Sequence, residues 1–122
     1  MSDPASLLEG TDRAAVVRAL GAPQEVAEEL ALVGWTVAWL PPVTDLDAFY
    51  AALGEVLGRR HLGANLDALW DVLGDLTAPT VLLWPGWDEL AVADPRGTAR
   101  LLRVLEQRAA DPGLAPVATV LL

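Results

Sequence analysis

Residues 80–84 read TVLLW, four large apolar side chains in a row with no polar partner between them, directly after Pro79. A run this short is a strand rather than a helix, and its lack of a polar face predicts cover on both sides. VATVLL, residues 117–122, repeats the pattern as a last strand. WTVAWL, residues 35–40, reads as another buried strand, entered at Gly34 and ended by Pro41 and Pro42. RAAVVRAL, residues 13–20, lies between Gly10 and Gly21 and carries adjacent valines, so it too reads as a strand. Helical patterns separate these segments. The expected fold class is therefore α/β, a small and mostly parallel sheet of three to four strands covered by helices.

The intervening periodicities are specific. Pro23 opens a helix through PQEVAEELALV, with Val26, Leu30 and Val33 on one face and Gly34 as its stop. Thr44 or Asp45 caps a second, with a stripe of Leu46, Phe49, Leu53 and Leu57 that Gly58 ends. Arg59, Arg60 and His61 form a short connector. Asn65 caps a third, whose Leu66, Leu69, Trp70 and Leu73 point to the core. WDELAVA makes a turn or short helix around Trp87. Asp94 and Pro95 start the last helix, which carries Leu101, Leu102, Leu105 and Ala109 and closes near Pro112 and Gly113. Trp35, Trp39, Trp70 and Trp84 are expected in the core and Trp87 partly outside it. One compact unit over residues 34–122 is expected, with residues 1–33 as an extension adding an edge strand and a helix.

Charge narrows the function. The chain has 122 residues, enough for one core, with 53% hydrophobic and 20% charged residues and a net charge of -9. It contains no lysine. Such a chain is ill suited to nucleic-acid backbones, and a cationic partner fits better. The absence of cysteine excludes a disulfide framework or a thiolate site and suits a reducing compartment. With acidic residues Asp3 and Glu9 where a secretion signal would be basic, and no run long enough to span a bilayer, a cytoplasmic location is expected.

Between His61 and Pro95 lie Asp67, Asp71, Asp75, Asp88, Glu89 and Asp94, with no arginine among them. The third helix stacks Asp67, Asp71 and Asp75 at four-residue spacing, where each like-charge pair costs a few tenths of a kcal/mol. The helix dipole favours Asp67 in the first turn, but that help fades along the helix. Catalytic readings do not fit these residues. His61 is the single histidine, no serine sits in a nucleophile elbow, and no glycine-rich phosphate loop is present. Two carboxylates on one helix face do not flank a sugar cleft, and NLDALWD lacks the wrapping loop of a magnesium or calcium site. Neither cofactor, metal nor enzymatic activity is expected, with a simple solvated helix face and a carboxylate enzyme as the other readings of these charges.

The stretch Gly63, Asn65, Leu66, Asp67, Ala68, Leu69, Trp70, Asp71, in the pattern G-x-N-L-D-A-L-W-D, resembles the signature of the barstar family, intracellular inhibitors of barnase-type bacterial ribonucleases. The order of elements resembles that family from about Gly34 to Leu122. The resemblance implies an inhibitor that lays the acidic helix and the preceding loop across the active site of a small cationic ribonuclease or ribonuclease-domain toxin, in a 1:1 complex. In that role Asp71 imitates an RNA phosphate, Asp67 is a second pairing carboxylate, and Asp75 adds a rim charge. His61, Leu62, Gly63 and Asn65 shape the loop, and Gly74 belongs to the same partner-binding set. The resemblance implies no membrane, nucleic acid or symmetry partner. The chain differs from the family in having His61 and Leu62 where aromatic residues usually precede the glycine, Ala64 after it, and the pair Arg59 and Arg60 as connector. These differences support a second reading, an interaction module or an immunity protein for a different toxin on the same scaffold.

Overall fold

Pro79 and Pro116 each stand at the entry to an apolar run, and their carbonyls accept the first rungs of the sheet from Thr36 N and Thr80 N, at 2.8 and 2.9 Å. The computed structural model describes residues 16–59, 62–111 and 113–122. Among them the elements run β1 (Val16–Arg18), α1 (Pro23–Leu32), β2 (Thr36–Trp39), α2 (Leu46–Val56), α3 (Leu66–Gly74), β3 (Thr80–Trp84), α4 (Trp87–Ala93), α5 (Pro95–Ala109) and β4 (Val117–Leu121). The four strands form one all-parallel sheet in the order β1-β4-β3-β2. In register, Leu82 of β3 lies between Ala38 of β2 and Thr119 of β4.

All five residues of β3 and all five of β4 are buried. The alternate residues Val81, Leu83, Ala118 and Val120 pack with Leu30 of α1, with Trp35 and with Val17 of β1. Leu82, Trp84, Val117 and Leu121 face the larger core, built with Phe49 and Leu53 of α2, Leu69 and Leu73 of α3, Leu90 of α4, and Leu101 and Leu105 of α5. Helices on both faces are what the unalternated runs require. Phe49 is the hinge of the aromatic packing, 4.8 Å from the Trp84 ring and 5.6 Å, edge-on, from Tyr50. Arg18 stacks over the Trp87 ring at 4.8 Å and ties β1 to α4.

Three expectations are corrected. The segment WTVAWL is not a buried strand: β2 is an edge, with Thr36 exposed and Trp39 41% exposed. One helix about 10 Å wide cannot cover four strands about 4.8 Å apart, so α1 leaves the Trp39 end of its face open. Val33 does not join the apolar face of α1, because the helix ends at Leu32 and Val33 caps it exposed. Trp70 does not face the core; it is 39% exposed, and Val72 is buried in the same turn. The first strand is observed at Val16–Arg18 within the expected residues 13–20, of which 13–15 lie outside the described residues.

Candidate functional site

The acidic helix is held in place from three directions. At its start, Asn65 has extended backbone and its Oδ1 accepts from Ala68 N at 2.8 Å, closing one of the free N–H groups of the first turn. Beneath it, Leu69, Val72 and Leu73 are buried, with Leu66 packed at the edge of the core. Each fully buried leucine contributes about 1.5–3 kcal/mol relative to its exposed state. At its end, Arg108 of α5, wholly buried, donates from Nε to the Leu73 carbonyl at 3.0 Å. A cation is favourable against the negative end of a helix dipole. Burial pushes the Arg108 guanidinium below the usual arginine range, and Asp111 pulls it partly back. Its Nη1 and Nη2 atoms have no hydrogen-bond partner among the described residues. Sequence periodicity missed Arg108, since nothing local marks a charge at an inward position as a helix-end clamp.

The loop before the helix is also packed. Gly58, at φ 72, turns the chain out of α2, and Arg59 N then donates back to the Gly54 carbonyl at 2.7 Å. A Cβ on Gly54 would stand 3.1 Å from the Arg59 carbonyl oxygen and 3.4 Å from the Leu62 Cβ, so this buried glycine lets the connector lie on α2. Leu62 is half-buried against the main core. Gly63 is exposed, and a Cβ there would meet the Ala68 Cβ at 3.2 Å. Leu62, Gly63, Ala68 and Asp71 thus border one shallow concavity with Arg59 and Asp75.

Asp67 and Asp71 are exposed on the side of α3 opposite Leu69, and among the described residues neither side chain has a hydrogen-bond or ion-pair partner. Asp75 is different. It is the C-cap, and its Oδ2 lies 3.1 Å from Nη2 of Arg59. The rim charge expected there is therefore matched within the chain, and Arg59 is turned toward the helix end rather than left facing outward alone. An exposed pair of this kind contributes at most about 1 kcal/mol to stability, and its effect on the surface field matters more. Gly74 is half-buried at the end of α3. His61 and Arg60 lie outside the described residues. Among the described residues no group of three His, Asp or Glu side chains is placed to hold a metal ion, and no helix is long and apolar enough to cross a membrane.

The fold is a small α/β one, a parallel sheet with helices on both faces, and among the described residues two unpaired carboxylates stand on a clamped helix. The family model described as Barstar (barnase inhibitor) matches residues 37–119, and the chain belongs to the barstar family. A barnase-inhibitor-like role, and a ribonuclease as the kind of partner, follow at the level of that family. A search of curated proteins found no match.

Proposed function

We propose that this protein inhibits a small cationic bacterial ribonuclease, or a toxin bearing such a domain, by presenting α3 as an imitation of RNA phosphate. Asp71 is the central mimic and Asp67 the second ion-pairing carboxylate, with Leu62, Gly63 and Asn65 shaping the loop beside them and His61 completing it. Gly74 and Asp75 form the far rim, where Asp75 acts through its pair with Arg59. The observation that carries this reading is the pair of exposed, unpartnered aspartates on a helix capped by Asn65 and clamped by Arg108. A ribonuclease is cationic where it holds phosphate, and a carboxylate already in position forms charge-assisted hydrogen bonds there without ordering a flexible segment. The complex is 1:1, since one ridge fills one active site.

The test is inhibition of barnase-type ribonucleases by the purified chain, beside Asp71→Ala. The variant folds as the parent does and loses at least about 2 kcal/mol of binding, the general threshold of an interface hot spot, for which the barnase and barstar pair is itself a reference example. Equal inhibition by the two proteins would remove Asp71 from the role given to it.

A further inference from the structure

Helix α5 carries Arg96, Arg100 and Arg103, all exposed, and at about 100° per residue they fall within about 60° of one another. Among the described residues none of their side chains has a hydrogen-bond, ion-pair or ring partner. Local electrostatics works against this stripe. Arg96 is the second residue of the helix, at the positive end of its dipole, and Arg96 with Arg100 is a like-charge pair at four-residue spacing. Glu106, three residues past Arg103, is the one carboxylate inside the helix and makes no ion pair among the described residues. Among the described residues no carboxylate pairs with any of the three arginines.

Position gives the stripe its meaning. Arg100 lines a surface concavity with Ala64, Asn65 and Leu66, at the start of α3, while Arg108 reaches Leu73 near its end. Helix α5 therefore runs alongside α3 in the same direction, and Arg100 of its basic stripe lies beside the start of the acidic helix. Trp70, four residues after Leu66 and so on the same side of α3, stands half-exposed toward the seam.

We propose that Arg96, Arg100 and Arg103 form a second recognition element that docks against carboxylates bordering the phosphate-binding site of the ribonuclease. This inference rests on the inhibitory reading above. Facing a uniformly basic enzyme, the stripe repels; facing one whose active-site rim is acidic, it adds attraction to that of Asp67 and Asp71. The protein thereby selects among ribonucleases that share the same catalytic cations.

The experiment measures inhibition constants of the full chain against a panel of barnase-type ribonucleases whose active-site rims are either acidic or basic. The wild type is compared with the triple variants Arg96→Glu/Arg100→Glu/Arg103→Glu and Arg96→Gln/Arg100→Gln/Arg103→Gln, and with Asp71→Ala. The wild type favours acidic rims. The Glu variant shifts the preference toward basic rims by at least about tenfold, and the Gln variant falls between. If the Glu variant does not fold, the Gln variant carries the comparison. An unchanged order of preference, with Asp71→Ala still losing inhibition, overturns the role of the stripe and leaves the inhibitory reading standing. Failure of the wild type to inhibit any panel member overturns both.

Discussion

Tyr50 is the chain's one tyrosine, and it lies beside the loop that precedes α3, 3% exposed, with its phenol pushed above the usual tyrosine range by burial. With no lysine and no cysteine in the chain, tyrosine is the side-chain type whose ordinary pKa, about 10, lies in the mildly alkaline range. The folded phenol keeps its proton at pH values where the unfolded one, with a pKa of about 10, has lost it. The folded state then binds more protons, so stability is complete below about pH 10 and falls above it. Urea unfolding from pH 8 to about pH 11 will show that decline in the wild type and a flatter profile in Tyr50→Phe; parallel profiles would mean that Tyr50 is not the group responsible. At this scale the sequence was legible where a residue acts on its own neighbours. The inward Arg108 and the outward Trp70 were not, because both are decided by what other elements place beside them.

Among elements, the helix starts were the most readable feature. Asp45, Asn65 and Asp94 each accept from the backbone N–H three residues on, in Ala48, Ala68 and Gly97, at 2.7, 2.8 and 2.9 Å. Such caps are written within four residues, so spacing alone finds them. Asn65→Ala lowers stability by about 1 kcal/mol and weakens inhibition further by loosening the entry to α3, whereas Asn65→Asp keeps the cap. Urea midpoints and inhibition constants for the two variants separate these effects. The apolar stripe of α3 was less readable. Trp70 and Val72 flank the same buried line, and only the packed connector around Leu62, close to Ala68 and Val72, decides that Val72 is covered. The failure at β2 has the same origin, since Val37 and Trp39 look apolar whether or not a helix reaches over them.

For the whole molecule, the proposed inhibition makes the net charge of -9 and the ridge on α3 act together on a cationic partner before contact. Raising the salt concentration slows association of the inhibitory complex more than it speeds dissociation, because the long-range attraction is screened beyond about 8 Å at physiological ionic strength. Stopped-flow mixing with an inhibited ribonuclease checks this, and a salt-independent association rate would argue against steering. The parallel sheet was legible from TVLLW and VATVLL, since both lack a polar face. The order β1-β4-β3-β2 was not, because pairing between Val16 and Thr119 leaves no local trace in either segment. That order has a consequence for biosynthesis. The last strand of the four to be synthesised occupies an interior place, between the first strand and the third. At about 5–20 residues per second, a growing chain spends seconds with β1, β2 and β3 made and the slot between β1 and β3 empty. The sheet is incomplete until Leu121 has been added, so α3 lacks its finished support up to that point.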